Sequence, residues 1–369
     1  MDQSGNAASS SDRPPSIAVV VGAYTRSDYL VRAVESVLRQ TLDKREIELV
    51  VTKGFENASI DEFLAERHIP AIYDREPRIG RWLLNAVERT RAPLIAILND
   101  DDLFEPGRLA HVVSIFRDRP WLGYYRNRVQ PIDAEGKTVP SEEWSRLFRD
   151  AEFDRTGPIE VLPGQKDAQV TVLRRTFAAF NASAIVVRRE LLADTHAERF
   201  AQTHQDDEAL FLAGILSPYG LYLDDQRLTC FRDHPGNVTR EIDNLLQIVA
   251  SMQRISDAYR ATGHPAFAEW VNELEVKRRW ELHVRSVEAA IRAGAPRRQV
   301  LHLASGYYRF VRRTPEIPRV SLRTWGIQMH ALAYVFAPSA ARRLLAKRTY
   351  DRTPPHLRSG PRERSPSTA

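Results

Sequence analysis

Three aspartates in a row, Asp100, Asp101 and Asp102, stand in "LNDDDLFEP" directly after an apolar run. Adjacent carboxylates repel, so such a cluster needs either open water or a cation. Hard divalent ions such as Mg2+ and Mn2+ take carboxylate oxygens and keep positions for water or a substrate phosphate. One carboxylate could then hold the metal while another meets a sugar hydroxyl. The same residues also suit a helix start, because "DDLFEPGRL" reads as cap, acidic first turn and helix. A second acidic group, Asp206, Asp207 and Glu208 in "THQDDEALFLAG", offers a general base for a hydroxyl nucleophile, or else ordinary first-turn chemistry that the helix dipole favours. A third stretch, "FRDHPGNVTR", holds Arg232, His234 and Arg240: an imidazole suited to metal and guanidinium groups suited to phosphate, or a solvated loop.

These residues need elements to position them. "IAVVVG" (17–22) is a β-branched run expected to be a buried strand. "SDYLVRAVESVLRQT" places Leu30, Ala33, Val34, Val37 and Leu38 on one helical face, with Ser27 or Asp28 suited to cap it. "IELVVT" (47–52), "IDEFLAERH" (60–68), "IPAIYD", "RWLLNAVERT" and "APLIAILN" continue as strand, helix, weak strand, helix and strand. Alternation of this kind implies a mainly parallel sheet with helices on both faces, whose ligands lie at the carboxyl ends of strands. Asp100–Asp102 fall at such an end.

Residues 131–170 are rich in Pro, Gly and charge and are expected to be loops around short strands; Trp144, Phe148 and Phe153 there suit either stacking on a sugar ring or packing under a loop. From about 241 long helical patterns take over. The expected organisation is a disordered leader (1–15), an α/β domain (16–240) in two halves (16–130 and 131–240), a helical region (241–348) and a disordered basic tail (349–369).

The chain has 369 residues, 43% of them hydrophobic and 27% charged, which is an ordinary soluble composition. A single cysteine, Cys230, excludes an intrachain disulfide framework and fits a reducing cytoplasm. The polar start "MDQSGNAASSSDRPPS" has no apolar core of a signal peptide, and the best apolar run, "IQMHALAYVFAP", is broken by Gln328 and His330 and stopped by Pro338. The net charge of +5 is concentrated from Arg342 onward, where eight Lys/Arg face only Asp351 and Glu363. Trp325, Tyr334 and Phe336 near Arg342, Arg343, Lys347 and Arg348 suit a helix lying on an anionic bilayer, and equally a helix packed as core. The helical region also suits self-association. A nucleic-acid partner is not expected, since no RNA- or DNA-binding module accompanies the basic tail.

The order of the motifs carries more than each alone. "IAVVVGAYTRSDYLVRAVESVLRQTLDKREIELVV", "GRWLLNAVERTRAPLIAILNDDDLFEPGRL", "NASAIVVRREL", "QDDEALFLAG" and "FRDHPGNVTR" resemble, in sequence, blocks of glycosyltransferase family 2. The resemblance covers residues 17–240 and implies a GT-A fold, a divalent metal (Mn2+ or Mg2+) at a DxD-type motif, a nucleotide-sugar donor, a hydroxyl acceptor and inversion at the anomeric carbon. It implies that Asp101 ligates the metal and bridges to the donor diphosphate, with Asp102 beside it as a further metal residue. It also implies that Asp100 sits near the ribose or the metal's water shell, and that His234, with Arg232 on the donor, completes the metal and diphosphate environment. Ala23, Tyr24 and Arg26 would lie against the nucleotide base, and Asp207 would be the base that deprotonates the acceptor, with Asp206 its neighbour. The chain departs from the family at "TKGF", where carboxylates usually close the second strand; Lys53 could reach a phosphate or point to solvent. Two rival readings use the same residues: a nucleotidyltransferase, for which "GAYTR" is a poor phosphate loop, and a glycan- or nucleotide-binding scaffold without turnover.

Overall fold

The computed structural model describes residues 14–143, 152, 156–234, 242–314, 329 and 331–343. Residues 1–13 of the leader, Trp144, Phe148, Phe153, Arg240, Trp325, Lys347, Arg348 and the basic tail lie outside them. The described residues form two compact units.

The described residues of the first unit are 14–130, 156–166 and 178–231. It opens with β1 (Ile17–Ala23), α1 (Leu30–Leu38), β2 (Ile47–Lys53), α2 (Ala58–Glu66), β3 (Ala71–Tyr73), α3 (Ile79–Val87) and β4 (Leu94–Asn99). Strand β1 pairs in parallel with β2 on one side and β4 on the other, and β3 pairs in parallel with β2. Every residue of β1 is buried. A central parallel strand covered on both faces reads as continuous apolar sequence, which is why no alternation is visible in "IAVVVGA". Helix α1 buries Leu30, Ala33, Val34 and Val37 as its spacing predicts, but its N-cap is Tyr29, without a side-chain cap. The Ser27 carbonyl, not the expected Ser27 or Asp28 side chain, accepts from Leu30 N–H at 3.3 Å.

Beyond β4 the sheet turns antiparallel. β5 (Leu103–Phe104), α4 (Arg108–Asp118), β6 (Leu122–Ile132), β7 (Ile159–Val161), β8 (Ile185–Arg188), α6 (Asp194–Ala201), α7 (Asp206–Leu216) and β9 (Gly220–Arg232) follow, with α5 (Val170–Arg175) between β7 and β8. The sheet order is β3-β2-β1-β4-β8-β6-β9-β5, with β7 on β9. β8 runs antiparallel to both β4 and β6, and β5 and β7 run antiparallel to β9. The parallel sheet expected from the first hundred residues therefore holds for β1–β4 only, and the complete sheet is mixed.

The described residues of the second unit are 131–143, 152, 167–177, 232–234, 242–314, 329 and 331–343. Its long helices are α8 (Ile242–Ala261), α9 (Pro265–Arg292) and α10 (Arg297–Arg313). Val284, Val287, Ile291, Val300, Tyr307, Val311, Ala331 and Tyr334 form a core there. Within this unit α5 meets α9 through the Arg174–Glu273 ion pair. No described helix is long and apolar enough to cross a membrane.

Candidate active site

The aspartate triplet lies in the turn between β4 and β5, and α4 begins only at Arg108 behind an N-cap at Gly107. The helix-start alternative is thereby removed. Asp100 continues the sheet, its N–H donating to Gly22 O at 3.0 Å, and Asp102 N–H closes the turn on Asn99 O at 3.2 Å. All three are buried, at 5%, 7% and 1% exposure. Burial of like charges is costly, so the surroundings must compensate.

They do so in two directions. Asp102 faces protein: its Oδ2 accepts from Ser183 Oγ at 2.7 Å and from Asn181 Nδ2 at 3.0 Å. Behind it runs a buried polar chain. Ser183 O accepts from Thr229 Oγ1, Thr229 Oγ1 accepts from Asn127 Nδ2, and Asn127 Oδ1 accepts from Arg108 Nε at 2.9 Å. Full burial lowers the Arg108 guanidinium to about 10. Asp100 and Asp101 instead share one cation, the Arg26 Nη2 atom, at 3.0 Å from Asp100 Oδ1 and 2.6 Å from Asp101 Oδ2. Even so, burial and the neighbouring Asp101 raise Asp100 to about 6. Asp100 Oδ2 is buried without a hydrogen-bond partner.

That orphaned oxygen, beside a second carboxylate gathered on one positive centre, fits a hard divalent ion. Among the described residues no three His, Cys, Asp or Glu side chains form a closed ligand set. Two carboxylates plus substrate oxygens is a normal complement for Mg2+, so an open pair is consistent with an ion shared with a phosphate.

The second acidic group opens α7, with Asp206, Asp207 and Glu208 in its first turn and no side-chain cap from Gln205. Asp206 Oδ1 accepts from Asp207 N–H at 3.0 Å, and Asp207 Oδ1 from Glu208 N–H at 2.8 Å. Asp207 Oδ2 accepts from Asn181 N–H at 3.2 Å. Burial and the Asp207 charge push Asp206 up to about 7. Asn181 thus bonds both acidic groups, Asp102 through its side chain and Asp207 through its backbone. It does so at φ +64°, in the left-handed region that non-glycine residues seldom adopt, and its own Oδ1 is buried without a partner. Such strain persists where the surroundings over-determine the conformation, often at functional sites. Sequence reasoning missed Asn181 and Ser183, since "NAS" before a strand shows only turn-forming residues.

The remaining expected residues are placed as follows. Ala23 ends β1, buried, and Tyr24 stacks edge-on against Trp82 with centroids 5.4 Å apart. Arg26 lies on the carboxylates described above. Lys53 is buried and committed locally: its Nζ donates to Phe55 O at 2.7 Å and pairs with Asp61 at 2.9 Å. Gly54 follows because an added Cβ would come within 2.4 Å of Tyr24 O. Arg232 and His234 belong to the second unit. There Arg232 is buried, with Nη1 donating to Asp133 O and Ala134 O at 3.0 and 2.9 Å, and His234 is buried two residues on.

Residues 18–184 match the family model for glycosyl transferase family 2. The chain is similar to Protein CgeD of Bacillus subtilis (strain 168), at 28% identity over 149 residues, covering 37% of this chain and 33% of that one. It is also similar to the Putative glycosyltransferase EpsH of the same organism, at 26% identity over 134 residues, covering 35% of this chain and 38% of that one. The chain therefore spans about a third of the length of these curated relatives. Among solved structures it is similar to S. aureus TarS 1–349 in complex with UDP-GlcNAc, with a TM-score of 0.55, 12% identity and 91% of each chain covered. At that identity the likeness concerns the fold. The match to glycosyl transferase family 2 is thus confined to residues 18–184, and the mixed α/β sheet has the GT-A fold.

Proposed function

We propose that this chain transfers a sugar from a nucleotide-diphosphate donor to a hydroxyl of a glycan, lipid-linked or small-molecule acceptor, with inversion at the anomeric carbon. The observation that carries the reading is Asn181, which ties the aspartate turn after β4 to the acidic start of α7 within a family 2 domain. Asp100 and Asp101 would hold Mn2+ or Mg2+. When bound, the ion supplies positive charge to the diphosphate as it leaves. Within the second unit, His234 and Arg232 offer imidazole and guanidinium chemistry suited to an anionic group.

The sequence expectation gave proton transfer to Asp207. Hydrogen bonding favours the other member of the pair. Both Asp207 oxygens accept backbone N–H groups, whereas Asp206 has one oxygen so engaged and a proton affinity near neutrality. A base works best when its pKa lies near the operating pH. Asp206 then takes the acceptor proton as the hydroxyl oxygen bonds to the anomeric carbon. The opposite bond, to the diphosphate oxygen, breaks and its electron pair leaves with the diphosphate. One displacement of this kind inverts the configuration. Asp207 keeps Asp206 proton-avid by its adjacent charge, and Asn181 holds the pair in register with the turn. Phe336, 82% exposed, and exposed Arg342 and Arg343 support peripheral contact with an anionic bilayer, where lipid-linked acceptors reside.

A panel of nucleotide-diphosphate sugars offered with Mn2+ or Mg2+ and with glycan and polyprenyl-linked acceptors tests this. Release of one nucleoside diphosphate, dependent on both acceptor and Asp206, is expected. Absence of release across the panel would reject transfer.

A further inference from the structure

Arg26 stands in the irregular segment between β1 and α1, where the family resemblance expects a contact with the nucleotide base. Instead its guanidinium lies on the aspartate turn, with a single nitrogen, Nη2, bridging Asp100 Oδ1 and Asp101 Oδ2. The arginine side chain retains 19% exposure, against 8% and 9% for its two partners, so it covers the carboxylates from the solvent side. A cation bound by those two carboxylates and an arginine nitrogen lying between them would occupy the same space and compensate the same charge.

We propose that Arg26 is the resident counter-ion of the Asp100–Asp101 pair, that a divalent ion binds only by displacing it, and that Arg26 thereby sets the cation affinity of the site. The inference rests on the reading of the pair as a cation site and adds the competitor to it. Three physical features support displacement. The ion pair is monodentate towards each carboxylate, using one guanidinium nitrogen where a fork-to-fork pair would use two. Asp100 Oδ2 is left buried and without a partner, so Arg26 compensates the pair incompletely and an ion with several coordination positions gains a ligand that Arg26 does not use. Residues 24–29 belong to no helix or strand, so withdrawal of Arg26 breaks no ladder hydrogen bond. A site whose binding-competent state is only partly populated shows an affinity reduced by that fraction, and removing the competitor restores it. Once displaced, Arg26 is a positive group released beside an ion about to receive a diphosphate. Metal binding and anion capture are coupled by this exchange.

Mn2+ binding to the full chain, without nucleotide, followed by the electron paramagnetic resonance signal of free Mn2+, tests the exchange on wild type, Arg26→Gln, Arg26→Lys, Asp101→Asn and the Arg26→Gln/Asp101→Asn double variant. Arg26→Gln is expected to bind Mn2+ roughly tenfold more tightly than wild type. Arg26→Lys should stay close to wild type because it keeps the charge, and the double variant should lose the gain. Thermal melts establish that each variant is folded, and Arg26→Lys controls for loss of the side chain as such. If Arg26→Gln binds Mn2+ no more tightly than wild type, including the case in which neither binds, the competitor role is overturned. If the tightening survives in the double variant, it arises away from Asp101 and the proposal is likewise overturned. Loss of binding in Asp101→Asn without tightening in Arg26→Gln would leave the cation site standing and remove only Arg26 from it. Binding indifferent to Asp101 would reject the cation site itself.

Discussion

The aspartate turn and the C-terminal helices handle charge in opposite ways. Along α9 charges of opposite sign pair one turn apart: Arg279 with Glu275, Arg285 and Arg278 with Glu281, Arg292 with Glu288. These pairs are partly or largely exposed and stabilise a helix by a few tenths of a kcal/mol each. At the end of β4 three charges of one sign are gathered and buried. They are made tolerable by one shared guanidinium, a hydroxyl and an amide. The ladder is what a helix selected for solubility looks like. The turn costs folding energy and leaves an oxygen unsatisfied, an arrangement that makes sense when a ligand completes it.

Substitutions that separate the two regions sharpen this contrast. The largest effect is expected at α7. Asp206→Asn should lower turnover by about 10²–10⁴-fold with little change in nucleotide binding, and Asp207→Asn should lower it less. In wild type the rate should rise with pH through a midpoint near 7, as Asp206 gives up its proton. The stability sign is opposite. Asp206 holds its proton more tightly folded than unfolded, so stability declines from the ordinary carboxylate range up to about 7 and is flat above. Asp206→Asn should remove that decline, as seen in denaturation midpoints between pH 4 and pH 8.

Next in size is the bridge. Asn181→Gly accepts the positive φ without strain but removes the side-chain bond to Asp102, so stability should hardly change while turnover drops by roughly 10²-fold from lost alignment. A matched loss of stability and activity would make Asn181 a folding residue only. Asp102→Ala should cost roughly 1–3 kcal/mol in chemical denaturation, because it strands two buried donors, Asn181 Nδ2 and Ser183 Oγ. Smallest of all, Arg285→Ala on α9 should shift stability by under about 0.5 kcal/mol and leave turnover unchanged. A larger shift there would erase the contrast between the regions.

Much of the first unit was legible in sequence because its signals are local. Strands β1 and β4 are continuous apolar runs, α1 has one clear face, and the triplet sits directly after an apolar strand. What was hidden depends on partners distant in sequence. Strand β6, "LGYYRNRVQPI", carries two arginines and an asparagine and does not read as a core strand. It is buried because Phe180 O accepts from Arg126 and Asp225 O from Arg128, at separations of 54 and 97 residues. Lys53 looked available for a phosphate until Asp61 and Phe55 O claimed it. Asn181 gave no signal at all, since its role arises from two hydrogen bonds to residues 79 and 26 positions away. The division of labour among the three aspartates was equally invisible. Identical residues in a row acquire different roles only when the turn aims Asp102 at Asn181 and Ser183, just before β8, and the other two at Arg26.

The most direct measurement is a calorimetric titration of UDP, GDP, dTDP and CDP into wild type and Asp101→Asn, each with and without Mn2+. The account predicts that one nucleotide binds wild type, that Mn2+ is required, and that Asp101→Asn loses the binding. Binding that ignores both Mn2+ and the substitution, or no binding by any of the four, would contradict it.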